Sequence, residues 1–358
     1  MVFEKIHTDE FEQIVFCNDS SLGLKAIIAI HSTVLGPATG GCRMWNYGSE
    51  SEALEDVLRL SKGMTYKAAI SELDWGGGKS VIWGDPKTQK SPILLKRFGE
   101  FVDRLGGSYI TAKDVGIGSD DLRLIKSKTK HVLGIEGDKN SSGDPSPVTA
   151  WGVYCGIKAT AKHTFKTNSL KGLRIAIQGL GSVAYYLLEY LVGEGAKVVA
   201  CDIDSAMVDR AVKKYDIEII RPDGIFDVAC DIFAPCALGA VINSDTIGRL
   251  RAKAVAGAAN NQLATPEMGH ELMRKEIVYA PDYAINAGGL INIYYEDPIR
   301  GGYSKEKALA HVSKIEQTIA NILDRAEQNH LPPHMVADRM AEERILKANR
   351  AHNRNLEG

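Results

Sequence analysis

The sequence predicts an α/β protein of two domains: an N-terminal mixed α/β domain, then a doubly wound, largely parallel sheet. Three observations carry that prediction. Short β-branched runs alternate with amphipathic helical stretches through most of the chain. A tract of turn formers with almost no apolar content, DKNSSGDPSP over residues 138–147, interrupts the alternation once. Beyond it the order strand, glycine turn, helix, strand recurs with the spacing of a βαβ unit.

In the first domain, QIVFC (13–17) and LKAIIAIHS (24–32) read as strands because β-branched residues dominate them. A helix follows through SEALEDVLRLSKGMTYKAA, where Leu60, Met64, Lys67 and Ala68 recur at i, i+4, i+7 and i+8 and so share one face. Three glycines then connect to a strand KSVIWG (79–84), a helix around 91–105 and a strand SYITA (108–112). After the tract the sequence predicts a helix over VTAWGVYCGIKATAKHTF, a strand LRIAIQ, a helix VAYYLLEYLVGEG and a strand KVVACD. Shorter strands are expected at 231–236, 253–258 and 276–282, and charged helices over 304–350. The expected division is 1–137 for the first domain and 138–330 for the second. Helices from about 331–358, including PPHMVADRMAEERI, are candidates to pack back on the first.

Composition narrows the function classes. With 358 residues, 25% charged and 44% hydrophobic, the chain has room for two ordinary cores. A net charge of −2 gives no field to recruit nucleic acid or an anionic membrane, and basic residues form no stripe with aromatics. No apolar run approaches ~18 residues, so no membrane span is expected. The N-terminal MVFEKIHTDEFEQ carries acids early and lacks an apolar core, so no signal peptide is expected either. Six scattered cysteines without a C-x-x-C pair read as reduced, buried thiols of a cytoplasmic protein. Nine histidines without clustered spacing predict no metal site.

The most specific local signal is Gly179-Leu180-Gly181-Ser182-Val183-Ala184, a G-x-G-x-x-A turn between a strand and a helix. Gly179 permits the tight turn, Gly181 lets backbone approach a pyrophosphate, and Ala184 lets the helix pack on the strand. Helix-start amides then face the anion. Asp202 closes the next strand 23 residues after Gly179. A carboxylate there bonds a ribose 2′-hydroxyl and repels a 2′-phosphate, and no cation directly follows it, so the expected cofactor is NAD. The second domain is thus expected to be of Rossmann type. A packing turn with no ligand is the bland alternative.

Two lysines stand out in the first domain. Lys67 shares a face with Leu60 and Met64, so it either snorkels to water or meets an anion. Lys79 follows three glycines, and a lysine against bare backbone near another cation is a candidate base. Asp114, just past a strand, is expected to face the same crevice. Two cations and one anion suit a zwitterionic substrate: one lysine for its carboxylate, the aspartate for its amine, the second lysine for proton transfer. Gly78-Lys79-Ser80 also looks like the end of a P-loop, but the first glycine would fall on Leu73 and a strand follows instead of a helix. Asn260 and Asn261, after an apolar strand, form either a plain turn or a contact to cofactor ribose or substrate.

Several longer stretches resemble the amino-acid dehydrogenases of the glutamate/leucine/phenylalanine/valine family. They are GLKAIIAIHSTVLGPATGGCRMW, GMTYKAA, WGGGKSVIWGDP, YITAKDVG, SSGDPSPVTAWGVYCG, CDIFAPCALG, GAANNQL and YAPDYAINAGGLIN, with DRMAEERI near the end. The resemblance implies reversible, NAD-dependent oxidative deamination of an L-amino acid to a 2-oxo acid and ammonia by a homo-oligomer, an octamer or a dimer. Position by position, it implies that Lys67 binds the substrate carboxylate, Lys79 activates the attacking water and Asp114 shuttles the amine proton. Gly40, Gly41, Met64 and Asn261 are implied substrate contacts. Thr149, Cys236, Ala237, Asn260 and Asn261 join Gly179, Gly181, Ala184 and Asp202 as implied cofactor contacts. Thr39 stands where the glutamate enzymes carry a lysine, so a substrate carboxylate side chain would be buried unpaired there. With Ala112, Leu290 and Ile293 completing the implied side-chain pocket, the expected substrate is a branched-chain aliphatic amino acid such as leucine, valine or isoleucine. An aromatic substrate, phenylalanine or tryptophan, and a silent NAD-binding regulatory protein remain as alternatives. The resemblance also implies that two domains close about the 138–147 tract to exclude water.

Overall fold

The computed structural model describes residues 10–357, so most of the N-terminal segment read above for a signal peptide lies outside the described residues. The chain divides into two compact units. The first comprises residues up to Gly143, Ile293–Tyr303 and the stretch from Ala341 on; the second comprises Asp144–Asn292 and Ser304–Met340.

The first unit is built on five strands: β1 (Gln13–Asp19), β2 (Leu24–Ser32), β3 (Ala38–Trp45), β4 (Gly76–Trp83) and β5 (Tyr109–Lys113). Their order is β1-β2-β4-β3-β5, with β1–β2 and β2–β4 antiparallel and both neighbours of β3 parallel to it. Helix α1 (Glu50–Ile70) starts where the Ser49 side chain accepts the Glu52 amide, and it buries Ala53 and Val57 against Ile27, Ala29 and Val81. Helices α2 (Pro92–Asp103) and α3 (Ser119–Lys126) cover the opposite face. There Leu94, Leu95, Phe98, Val102, Leu122 and Ile125 pack on Ile28, Cys42, Ile82 and Tyr109.

Two expectations are corrected here. The glycines before Lys79 form no connection: Gly76, Gly77 and Gly78 are the first residues of β4, and Lys79 lies inside that strand. This also removes the P-loop reading, since no helix opens after Ser80. The sequence reading also missed β3, whose glycine pair and single arginine break strand periodicity, although the strand is buried between β4 and β5.

The second unit carries β6 (Arg174–Gln178), β7 (Lys197–Cys201), β8 (Glu218–Ile219), β9 (Ile232–Pro235), β10 (Ala254–Val255) and β11 (Val278–Tyr279). Every pairing is parallel, in the order β11-β10-β9-β6-β7-β8. After β8 the chain returns to the other side of β6, which makes the ends of β6 and β9 a topological switch point. Helices α4 (Ser146–Phe165), α5 (Ser182–Gly193), α6 (Ser205–Val212), α7 (Glu267–Arg274), α8 (Asp282–Ile285) and α9 (Gly288–Tyr294) alternate with or follow these strands. The charged end resolves into α10 (Lys305–Ser313), α11 (Ile315–Asn329) and α12 (Pro333–Glu357).

The division departs from a single 138–330 span because residues 293–303 are held by the first unit. Tyr294 packs edge-on against Trp75 and donates to an Asp74 carboxylate oxygen at 3.0 Å. The buried Glu296 accepts from the Gly134 and Ser142 amides at 2.8 and 2.7 Å. From Ala341 on, α12 also belongs to the first unit: the Arg344 guanidinium donates to the Ala68 and Ala69 carbonyls that end α1. Within 138–147 helix starts only at Ser146, whose amide bonds the Asp144 side chain at 2.9 Å. Among the described residues no helix is long and apolar enough to cross a membrane.

Candidate functional site

The side chains expected to do chemistry in the first unit are brought together by strand alternation. Along β4, Gly77, Lys79 and Val81 face α1, whereas Ser80 and Ile82 face the α2–α3 core. Lys79 is therefore buried, 7% exposed, on the α1 side. Its Nζ lies 2.5 Å from Asp114 Oδ2, just beyond the end of β5. The same carboxylate oxygen accepts from Arg43 Nε at 3.3 Å. Burial alone would raise the Asp114 carboxyl, but the Lys79 ammonium and the Arg43 guanidinium outweigh it and hold the group below its ordinary value.

Arg43 was not foreseen. It extends the pair into a network: its Nη1 donates to Asp56 Oδ2 at 2.9 Å, and the Tyr47 hydroxyl and Arg59 complete that carboxylate at 2.7 and 2.9 Å. An arginine inside a glycine-rich, otherwise apolar stretch was its only signal.

Because the Asp114 carboxyl is depressed, its stabilising contribution is fully present above the ordinary value of 3.8 and is lost as pH falls through the folded value. Asp114→Asn is therefore expected to lower stability by about 3 kcal/mol at neutral pH, since the buried Lys79 loses its anion and Arg43 one of its two carboxylates. The gap to the parent protein should shrink in denaturant titrations carried progressively below that value. A gap independent of pH would contradict the ion-pair reading.

Bare backbone lets α1 approach this site closely. A Cβ on Gly77 would lie 2.1 Å from the Thr65 amide nitrogen, and one on Gly40 would lie 1.8 Å from the Gly78 carbonyl oxygen and 3.3 Å from Met64 Cγ. Gly41 is equally confined, with Asp114 Cβ 2.9 Å from where its own would be. Thus Gly41 abuts Asp114, and Gly40 lies between Met64 and Gly78, the residue before Lys79. Lys67 sits half-buried in the last turn of α1, where a cation also suits the helix dipole. Thr39 is buried and donates to the Pro37 carbonyl. Ala112 and Ile293 meet at Gly134, whose absent Cβ would sit 4.0 and 3.6 Å from Ala112 Cβ and Ile293 Cδ1. Leu290 is half-buried on α9, three residues before Ile293. A cavity of about 890 Å³ opens elsewhere, between β1, β2 and α1, and includes none of these residues.

In the second unit the glycine turn lies at the switch point. Gly179 has φ of +95°, and a Cβ there would lie 2.7 Å from Ala237 Cβ in the loop after β9. Cys236 ties that loop to β6 through its amide and the Gln178 carbonyl, 2.8 Å apart. Gly181 precedes α5 with open space where a side chain would be, and no side chain caps the helix. The first-turn amides thus remain available to an anion, and Ala184 is buried beneath them. Asp202 accepts the Leu180 amide at 2.6 Å and the Asp204 amide at 2.8 Å. These bonds fix its carboxylate at the turn and leave lone pairs for ribose hydroxyls. Asn260 accepts from Asn286 Nδ2 at 2.7 Å, and Asn261, with φ of +49°, accepts the Ala240 amide. The Thr149 hydroxyl donates to the Pro145 carbonyl at 2.9 Å and lies 3.0 Å from where a Cβ of Gly289 would be. These residues fit a dinucleotide: glycine backbone and free helix amides for the pyrophosphate, and a carboxylate for the ribose.

Comparison with known proteins agrees with both halves. The family model described as the Glu/Leu/Phe/Val dehydrogenase dimerisation domain matches residues 11–131. That of the Glutamate/Leucine/Phenylalanine/Valine dehydrogenases matches 142–211 and 204–353. The chain is 51% identical over 344 residues to a leucine dehydrogenase of Thermoactinomyces intermedius, covering 96% of this chain and 93% of that one. It is 49% identical over 352 residues to a leucine dehydrogenase of Geobacillus stearothermophilus, covering 98% and 95%. The crystal structure of L-tryptophan dehydrogenase from Nostoc punctiforme superposes with a TM-score of 0.87 at 41% identity, covering 98% of this chain and all of that one. A buried lysine–aspartate pair on glycine-rich strands beneath a helix, a parallel sheet with a glycine turn at its switch point, and matches over both units lead to one assignment: the chain belongs to the Glu/Leu/Phe/Val dehydrogenase family of amino-acid dehydrogenases.

Proposed function

We propose that the protein catalyses the reversible, NAD-dependent oxidative deamination of a branched-chain aliphatic L-amino acid to its 2-oxo acid, ammonia and NADH. The observation that carries this reading is the buried Lys79–Asp114 pair, 2.5 Å apart, set against the backbone of Gly40 and Gly41. Asp114, kept anionic by two cations, is suited to take a proton from the substrate ammonium. Lys79 is suited to activate the water that attacks the oxidised α-carbon and to pass protons as the carbinolamine collapses. Lys67 is the assigned partner of the substrate carboxylate, so amines without a carboxylate should react poorly. The bound cofactor supplies one thing, an acceptor for the hydride of the α-carbon. It is assigned to Gly179, Gly181, Ala184 and Asp202, with Thr149, Cys236, Ala237, Asn260 and Asn261 around it.

Specificity follows from what surrounds the side chain. Thr39, Ala112, Leu290 and Ile293 offer no cation to a glutamate side chain. Apolar walls favour leucine, valine or isoleucine, in line with relatives that are leucine dehydrogenases. An aromatic substrate is the second reading, favoured by the 41% identity to a tryptophan dehydrogenase across nearly the whole chain. NADH formation at alkaline pH over a panel of L-amino acids, with NADP in parallel, tests the proposal. The largest kcat/KM is expected with leucine and NAD. A maximum on phenylalanine or tryptophan would establish the second reading, and silence on every amino acid would leave only an NAD-binding protein. A homo-oligomer in the cytoplasm belongs to the same reading, supported by the match to a dimerisation-domain model; light scattering reports its mass.

A further inference from the structure

The pairing between β3 and β4 has a gap at the site. Ala38 and Thr39 pair with Gly76 and Gly77, and Cys42 through Trp45 pair with Ser80 through Trp83, at one constant offset. Gly40 and Gly41, opposite Gly78 and Lys79, take no part in that ladder, although they remain paired with Thr111 and Ala112 of β5. The interruption thus falls on the two glycines assigned to the substrate and on the strand segment carrying Lys79.

One side chain spans the two strands beside the gap. The Tyr109 hydroxyl, at the start of β5, donates to the Gly40 carbonyl at 2.7 Å and lies 2.9 Å from Ser80 Oγ and 3.4 Å from Thr111 Oγ1. Its ring is fully buried, and a Cβ on Gly78 would lie 2.8 Å from it. Burial pushes the phenol well up, so it remains a donor wherever the protein is folded. The Gly40 carbonyl has two lone pairs, so the hydroxyl adds a second bond to the one its pairing with β5 supplies.

We propose that Tyr109 is a positioning residue: its hydroxyl bridges β3 and β4 beside the interruption, through Gly40 on one and Ser80 on the other, and so fixes the plane of the Gly40–Gly41 peptide assigned to substrate and the strand bearing Lys79. This inference rests on the proposed function, because it takes Gly40 and Gly41 as substrate contacts. The ring supplies packing to the core, whereas the hydroxyl supplies geometry to the site. The two contributions can be separated by one atom.

Tyr109→Phe keeps the ring and removes only the donor. Steady-state kinetics with L-leucine should show KM raised about tenfold and kcat changed no more than about threefold, the pattern of a lost binding geometry. The NADH dissociation constant, read by fluorescence, should stay within about twofold. Phe98→Leu, a core change on the same face of the same sheet, controls for stability loss and should lower the melting temperature without moving KM. A KM for Tyr109→Phe within twofold of the parent, or a change matched by Phe98→Leu, overturns the positioning role. If the parent protein itself turns over no amino acid, the proposed function fails first; normal parent turnover with an unmoved KM in Tyr109→Phe refutes this inference alone.

Discussion

Lys79→Ala is expected to reduce kcat for L-leucine oxidation by about 10³-fold, within the 10²–10⁴ that a positioned acid–base group contributes. The NADH dissociation constant should stay within about twofold, since the glycine turn, Asp202 and the Asn260–Asn261 loop all belong to the other unit. The variant should still fold. Asp114 keeps its contact with Arg43 at 3.3 Å, and Arg43 in turn remains held by Asp56 at 2.9 Å. Removing Lys79 therefore leaves a paired carboxylate, not a stranded one. Stopped-flow and steady-state assays with saturating NAD measure the loss. Turnover within about tenfold of the parent would remove Lys79 from the chemistry and return the buried pair to a structural role.

Gly77→Ala should have the largest effect on the fold. A methyl group at that position meets the Thr65 amide nitrogen and hydroxyl at 2.1 Å and its Cα at 2.5 Å. Two of those three atoms are helix backbone, which no rotamer change can move. Helix α1 would have to rise off β4, opening its contacts with Val81 and Ile27. A cost of about 3 kcal/mol or more follows, at or beyond the upper end for overpacking by a methyl group. Denaturant titration measures it, and a change of a few tenths would show that α1 floats freely over the strand. Met64 and Lys67 ride on the same helix, so KM for leucine should rise in whatever fraction folds.

The two glycine clusters illustrate how differently sequence exposes function. Gly179 and Gly181 were legible because their use is local: a strand precedes, a helix follows, and an acid ends the next strand. The glycines of β3 and β4 were harder. Three glycines in a row read as a connection, because a glycine run has low strand propensity. They form a strand because β2 and β3 flank it and α1 needs the space that side chains would occupy. Arg43 and Tyr109 escaped notice for a related reason. Each acts on a partner far along the chain, Asp114 for one and Gly40 for the other, and no period or motif links such positions.

Residues 293–303 make the same point at the level of domains. Nothing in GGLINIYYEDPIRGGY marks a return to the first unit. Tyr294 against Trp75 and Asp74, and Glu296 collecting the amides of Gly134 and Ser142, are pairings across well over a hundred residues of chain.

By itself the sequence determined the succession of strands and helices, the glycine turn with its acid, and the residue types available for deamination, because hydrophobic period and turn chemistry act between near neighbours. Tertiary structure alone decided that Lys79 is buried in a strand with Asp114 and Arg43 around it, and that the Tyr109 hydroxyl reaches both Gly40 and Ser80. Those outcomes depend on which distant backbones come within a few ångströms of one another. Packing decides that, not local preference.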